Sequence, residues 1–529
     1  MRTVAERLVA WLRALEVEVI FGIPGVHTIE LYRALAGAGI RHVTPRTEAG
    51  AGFMADGYAR VSGRFGVALV ITGPGLTNIL TPMAQARADS VPMLVISGVN
   101  RRDTLGKGFG YLHELPDQLA LTATLGPALH LDRAEDLPSL LDRAATALTT
   151  GRGGPVHLQI PLDLMTAAAP EATVGQPRTS EAHGDIKAAN RLLEAGQAPV
   201  LLAGGGCRRA EAALRALAER LGAPVILTTN ARGLLHGHPL VVPASPSLAP
   251  VRDLIRNADP LLVLGSELGP TDCDMYGDGG FAVPAATIRV EIDAEQLARH
   301  PVAVALPDDV ATVLPHLTRS APAAHGPARA DETRRAARAA HGPARADETR
   351  RAARAALPAG YADEVDLLER LRDSLPGAIM VGDSTQVVYA GNLYYDHDRA
   401  GGWFNAATGY GALGYATGAA VGAALAEPGA HVLCLIGDGG LMFALGEVLT
   451  AAEEGLNITF IVFNNRGFGE IASAMRDAGA EVIGCAPRPP ELAAFANACG
   501  LPFERATPAT LRVSGDGPRL IEVVLPSVA

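Results

Sequence analysis

The chain has 529 residues, a formal net charge of −11, and a composition that is 48% hydrophobic and 19% charged. An acidic chain with no broad basic region lacks the clustered cations that nucleic-acid phosphates demand, and no uninterrupted apolar run reaches the roughly 20 residues that cross a bilayer. The scattered cysteines Cys207, Cys273, Cys434, Cys485 and Cys499 form no CxxC pair, which argues against a zinc site or a disulfide framework and fits a reducing, cytoplasmic setting.

Thr3 followed by Glu6 reads as a capping box. Val4, Leu8, Trp11, Leu12 and Leu15 then recur at helical spacing with Arg7 and Arg13 between them, so the chain opens on an amphipathic helix of a folded domain and not on a signal peptide. Short apolar runs alternate with helical stretches from there on. In the first third they are Val17–Phe21, Gly66–Ile71, Met93–Ser97 and Val156–Ile160. In the second they are Val200–Ala203, Val225–Thr228, Leu261–Leu264 and Thr287–Ile292. The last third has Ile379–Val381, Val432–Ile436, Thr459–Phe463 and Leu520–Val524. Strands of this kind imply parallel sheets covered on both faces. The expected architecture is three doubly wound α/β domains with parallel sheets, over roughly 1–170, 185–318 and 358–529. The segment 319–357 reads as a linker: His325–Ala340 (HGPARADETRRAARAA) is repeated letter for letter in His341–Ala356. Its Ala and Arg content favours a partly helical surface form, and a duplication explains it better than function.

The chemistry-bearing motif lies near the C-terminal end. The run Leu433–Ile436 enters Gly437-Asp438-Gly439-Gly440, then a helical stretch, then the strand Thr459–Phe463 and Asn464-Asn465-Arg466-Gly467-Phe468. Glycines let a backbone approach a diphosphate, and a following helix N-terminus favours anions. Asp438 offers a carboxylate oxygen and Asn465 an amide oxygen, hard ligands suited to Mg²⁺. A lone GDG is also what a strand–turn–helix with a solvated Asp looks like; GDG plus NN, each at the end of a buried strand, is far more specific.

This pattern resembles the thiamine-diphosphate (ThDP) signature of the pyruvate decarboxylase and acetolactate synthase superfamily, over nearly the whole chain apart from the repeat. The resemblance implies an N-terminal pyrimidine-binding domain, a middle domain and a C-terminal diphosphate-binding domain. It also implies active sites shared between subunits of a dimer or tetramer. It makes Asp438, Asn465 and the carbonyl of Gly467 the metal ligands, with Gly437, Gly439, Gly440 and Phe468 around the diphosphate. Within Pro45-Arg46-Thr47-Glu48-Ala49-Gly50 it makes Glu48 the catalytic acid that shares a proton with the pyrimidine ring and so activates the thiazolium carbon. Many relatives have His where this chain has Thr47. In Thr408-Gly409-Tyr410-Gly411-Ala412-Leu413-Gly414-Tyr415 the carbonyl of Gly411 would accept from the cofactor amine, and Leu413 would wedge its two rings apart. Asp383, Ser384 and Thr385 would lie beside the diphosphate and thiazolium.

Three subfamilies compete for the substrate. Acetolactate synthases share Gly22-Ile23-Pro24-Gly25 and Thr72-Gly73-Pro74-Gly75, but the middle domain lacks a recognisable flavin-contacting sequence. Gly204-Gly205-Gly206 is a weak dinucleotide signal, so a vestigial middle domain without FAD is expected. Benzoylformate decarboxylases use a serine and two histidines where this chain has Val26, Ile71 and Asp272. The pattern GDSTQ, FNAATGYGALGYA and NNRGFGEI is similar to 5-guanidino-2-oxopentanoate (2-ketoarginine) decarboxylases. A carboxylate pairs bidentately with a guanidinium, which makes Glu470 and Asp272, with Asp274 close by, candidates for a cationic tail. Each of these acids can equally be a solvated surface carboxylate. His27 and His113 are candidates to line the cleft, with a structural or solvated histidine as the alternative for each. The expected reaction is non-oxidative decarboxylation of a 2-oxo acid to an aldehyde; an acetolactate-synthase-like carboligase and a benzoylformate-decarboxylase-like enzyme are the alternatives.

Overall fold

The computed structural model describes residues 2–172, 184–275, 277–318 and 329–527. Thr3 caps the first helix, Val4–Ala14: its hydroxyl accepts the Glu6 N–H (3.2 Å), and Glu6 Oε2 accepts the Thr3 N–H (2.8 Å). Trp11, Leu12 and Leu8 on that helix pack with Leu137, Leu140 and Leu141 of the helix Leu137–Thr149 in the core on one face of the first sheet.

There are three six-stranded sheets, each with helices between its strands in sequence. The first runs Arg41–Val43, Val19–Gly22, Gly66–Val70, Met93–Val99, Pro155–Pro161, Ala128–His130 across the sheet. The second runs Val304–Leu306, Thr287–Val290, Leu261–Leu264, Val200–Ala203, Val225–Leu227, Val241–Val242. The third runs Trp403–Asn405, Ile379–Gly382, Val432–Gly437, Ile458–Asn464, Arg519–Val524, Phe503–Ala506. The pairings are parallel, as expected for strands buried on both faces.

The chain forms two compact units. One comprises Met1–Arg178, Val381–Thr385 and Asn405–Ala529; the other comprises Thr179–Met380 and Gln386–Phe404. Within the first unit the helix Glu48–Ser62 packs closely on the helix Tyr415–Ala426. Gly57 and Gly422 make this approach possible, because a Cβ on either would run into backbone of the facing helix, at Ala419 and Met54.

In the second unit the described part of the repeat is one helix, Arg329–Ala355, and not a surface linker. Ala346 and Ala353 are fully buried. Arg345 donates to the Pro199 carbonyl (3.2 Å) and Arg350 to the Val241 carbonyl (2.7 Å). A step of about 16 residues turns a helix roughly 160° past whole turns, so identical residues of the two copies face different neighbours. Arg338 donates to the Leu193 carbonyl (3.2 Å), whereas Arg354 pairs with Glu369 (2.9 Å).

Candidate active site

In the first and third sheets the chain reverses its direction of strand addition, and loops at such a switch point are where α/β sheets bind ligands. In the third sheet this point lies between Ile379–Gly382 and Val432–Gly437. The register there sets Gly437 opposite Phe463, so Asp438 and Asn464-Asn465 leave neighbouring strands side by side. Asp438 is 2% exposed, and its Oδ1 accepts the Asn465 N–H (3.3 Å). Burial pushes its carboxyl upward, against the lowering effect of N–H groups from Asn465, Gly467 and Gly439. Asn465 Oδ1 is buried with no hydrogen-bond partner. Asn464 is occupied otherwise, donating to Glu522 (2.7 Å) and accepting from the Arg466 N–H (3.1 Å).

Each glycine of this segment has a separate reason. A Cβ on Gly439 would sit 2.6 Å from the Phe468 ring, and one on Gly440 would sit 2.9 Å from Asp383 Oδ1. A Cβ on Gly467 would run into the Cys485 carbonyl, which also accepts the Phe468 N–H (2.8 Å). At Gly437 a Cβ would meet only ordinary contacts, the nearest being Thr385 Oγ1 at 3.5 Å. A buried carboxylate and an orphaned amide oxygen side by side, on a glycine backbone without side chains of its own, fit a hard cation carrying a diphosphate. Among the described residues no three His, Cys, Asp or Glu side chains converge as a metal site, and the donors here are instead one carboxylate and neutral oxygens.

Asp383 turns inward. Its Oδ1 accepts the Ser384 N–H (2.9 Å), and its Oδ2 accepts the Ala416 N–H (3.1 Å) at the start of the helix Tyr415–Ala426. Burial raises its carboxyl to about 6. Asp383 therefore anchors the loop that precedes this helix, while Ser384 and Thr385 are half-buried near Gly437. The same loop is held from its other side. Gln85 Nε2 donates to the Ala406 carbonyl (3.3 Å), its Oε1 accepts the Ala412 N–H (3.2 Å), and the Thr408 hydroxyl donates to Asp89 (2.6 Å). Gly411 adopts a left-handed φ of 77°, and Leu413 is half-buried. Sequence reasoning passed over Gln85 and Asp89; the available signal was two polar residues a helical turn apart in the small-residue run Ala84 to Ala88.

In the first sheet the switch point lies between Val19–Gly22 and Gly66–Val70. Glu48 is the first residue of its helix and is half-buried, and its Oε2 accepts from Asn78 (2.9 Å). A Cβ on Gly75 would lie 2.7 Å from Ile71 and 3.4 Å from Glu48 Oε1. Ile71 also packs on Gly25, beside the exposed Val26. Gly73, at φ 66°, lies beneath the His113 carbonyl. The rings of His27 and His113 stand 5.3 Å apart, each with a buried, unpartnered Nδ1. Burial, followed by the neighbouring His113, lowers the His27 pKa. Val26, His27, Ile71, His113 and Glu48 thus gather beyond the C-terminal ends of the inner strands Val19–Gly22 and Gly66–Val70.

The two acids suggested for the substrate differ. Asp272 lies in the second unit and is half-buried. Its Oδ1 accepts from the Thr229 N–H (3.1 Å) and hydroxyl (3.0 Å), and burial raises its pKa. Its neighbour Asp274 pairs with Arg252 (2.9 Å). Glu470 is exposed on the first turn of the helix Gly469–Asp477, directly after the loop carrying Asn465 and Gly467. Desolvation by surrounding protein raises its carboxyl, and no partner offsets this.

A parallel-sheet α/β chain whose Asp and Asn acceptors meet at one switch point and whose glutamate starts a helix at another has the build of a cofactor-dependent diphosphate-binding enzyme. Models of thiamine pyrophosphate enzymes match it at the N-terminal TPP binding domain (2–121), the central domain (186–317) and the C-terminal TPP binding domain (383–523). The chain belongs to the thiamine pyrophosphate enzyme family. It is 42% identical to the protein named "Probable 2-ketoarginine decarboxylase AruI" of Pseudomonas aeruginosa, over 94% of this chain and 88% of that one. It is 31% identical to the acetolactate synthase isozyme 1 large subunit of Escherichia coli, over 88% of this chain and 82% of the relative. To the acetolactate synthase of Mycobacterium bovis it is 30% identical, over 89% and 77%.

Proposed function

We propose that this protein is a Mg²⁺- and ThDP-dependent decarboxylase that converts 5-guanidino-2-oxopentanoate, or a similar long cationic 2-oxo acid, to an aldehyde and CO₂. The bound cofactor supplies a carbon nucleophile and an electron sink for the bond to CO₂. Asp438, Asn465 and the Gly467 carbonyl would hold Mg²⁺, and the backbone of Gly437, Gly439 and Gly440 would take the diphosphate, with Phe468 alongside. Gly411 and Leu413 would set the shape of the cofactor, with Ser384 and Thr385 close by. Glu48 would hold a proton at the pyrimidine nitrogen. Val26, His27, Ile71 and His113 would line the reacting end of the substrate.

The observation that carries the substrate assignment is Glu470: an exposed carboxylate with no ion-pair partner among the described residues, directly after the loop of Asn465 and Gly467 and suited to a guanidinium. Similarity to the 2-ketoarginine decarboxylase of P. aeruginosa supports the same reading. One oxygen of Asp272 is already engaged by Thr229, so Glu470 carries the cationic-tail assignment. A homodimer or higher homo-oligomer belongs to this reading. Exposed apolar side chains on the first unit support it, among them Val26, Ile29, Phe109, Leu112 and Phe443 at 50–66% exposure. A cytoplasmic location belongs to it as well; no described helix is long and apolar enough to cross a membrane.

The acetolactate synthases at about 31% identity favour a second reading, a carboligase joining two 2-oxo acids. Product analysis separates the two. The decarboxylase releases one aldehyde per CO₂ from the guanidino acid and no acetolactate from pyruvate. Acetolactate as the main product from pyruvate would establish the carboligase instead.

A further inference from the structure

Glu447 lies in the first turn of the helix Leu445–Glu453, on the same stretch of chain as Asp438, and is 1% exposed. Its carboxylate does not face a cation. Oε1 accepts the N–H groups of Arg46 (3.1 Å) and Thr47 (3.1 Å) and the Thr47 hydroxyl (3.3 Å). Oε2 accepts the Arg46 N–H (3.2 Å) and the Thr450 hydroxyl (3.0 Å). Burial raises this carboxyl, and the same donors act against the rise. Gly50 makes the reach possible, because a Cβ there would run into Oε1. Thr47 also caps the helix by accepting the Gly50 N–H (2.9 Å). The next residue is Glu48, whose side chain accepts a hydrogen bond from Asn78 (2.9 Å) and from no other described side chain.

We infer that Glu447 is a positioning residue for Glu48. By pinning the backbone of Arg46 and Thr47 it sets where the helix begins and where the Glu48 carboxyl is presented. The inference rests on the role proposed above for Glu48. A displacement of about 1 Å at a reacting group can lower a rate by about a hundredfold, and the loss of a buried acceptor for three donors can shift a helix start by that much.

The test uses the holoenzyme with saturating ThDP and Mg²⁺ and follows deuterium exchange at the thiazolium carbon of the bound cofactor. Glu447→Ala should slow this exchange by about ten- to a hundredfold, while Mg²⁺-dependent ThDP affinity stays near wild type. Glu447→Gln keeps one acceptor oxygen and should recover part of the rate. Gly50→Ala, which displaces the carboxylate without removing it, should resemble Glu447→Ala and serves if that variant does not fold. In the cofactor-free enzyme, the amides of Arg46 and Thr47 should lose protection in mass-spectrometric hydrogen exchange. A purely structural role would lower the melting temperature but leave the thiazolium exchange at its wild-type rate, and that result would overturn the inference. Glu48→Gln is measured in parallel. Slow exchange in Glu48→Gln with wild-type exchange in the Glu447 and Gly50 variants removes only the positioning role. Wild-type exchange in Glu48→Gln removes the reading of Glu48 itself.

Discussion

Asp438 and Glu48 are both acids at the switch points of parallel sheets, yet the chain treats them oppositely. Asp438 is enclosed, its carboxyl raised by burial, with the orphaned Oδ1 of Asn465 close by. Buried acceptors without donors are costly unless a cation joins them. On the proposed reading, a cation would join them at that end of the site. Glu48 is half-exposed and held lightly by Asn78, while the backbone before it is pinned by Glu447. On the proposed reading, binding would be prepared by burial and unsatisfied oxygen, and proton transfer by fixing a helix start and leaving the carboxyl accessible.

Four changes probe this contrast, from the largest expected effect to the smallest. Asp438→Ala should remove turnover entirely at any Mg²⁺ concentration, measured as CO₂ release; turnover restored by excess Mg²⁺ would mean that Asp438 only tunes affinity. Glu48→Gln should lower kcat by about 100- to 10,000-fold with the melting temperature unchanged, since an amide cannot hold the shuttled proton. Glu470→Gln should lower kcat/KM for 5-guanidino-2-oxopentanoate about ten- to a hundredfold more than for a neutral straight-chain 2-oxo acid. Equal losses on the two substrates would detach Glu470 from the tail, and a wild-type preference for pyruvate or benzoylformate would reject the cationic pocket.

The smallest effect concerns only the first sheet. Burial depresses His157 to about 3 from 6.5, and it is held between Ser97 (2.8 Å) and Thr122 (2.7 Å). The unfolded chain takes up a proton near pH 6.5 that the folded chain refuses. The contribution of His157 to stability is therefore present above 6.5 and lost as pH falls from there toward 3. His157→Gln should narrow the difference in urea stability between about pH 7 and about pH 4.5. An undiminished difference would place the acid sensitivity elsewhere.

The apolar runs legible in the sequence are the inner four strands of each sheet. The strands that sequence reading passed over, such as Arg41–Val43, Val241–Val242 and Phe503–Ala506, are the sheet edges. The physical reason is exposure at Arg41–Val43 and Phe503–Ala506, and brevity at the buried two-residue strand Val241–Val242. Val432–Ile436 is closed on both faces and reads as an unbroken apolar word, whereas Arg41 and Glu504 at edges are exposed. The pairing of GDG with NN was legible because both motifs end inner strands. Asp383 and Asp272 show the limit: sequence marks an acid in a loop, but not that its oxygens are already taken by Ala416 or Thr229. Gln85, Glu447 and the Cys485 carbonyl act across long sequence separations, and no local pattern announces them. The repeat misled for a related reason, since its Ala-rich face gains meaning only against the strands it covers.

Calorimetric titration of the cofactor-free protein with ThDP, with and without Mg²⁺, tests the contrast most directly in wild type, Asp438→Ala and Glu48→Gln. The account predicts Mg²⁺-dependent binding in wild type, nearly the same binding in Glu48→Gln, and none in Asp438→Ala. Full ThDP affinity in Asp438→Ala, or its loss in Glu48→Gln alone, would contradict it.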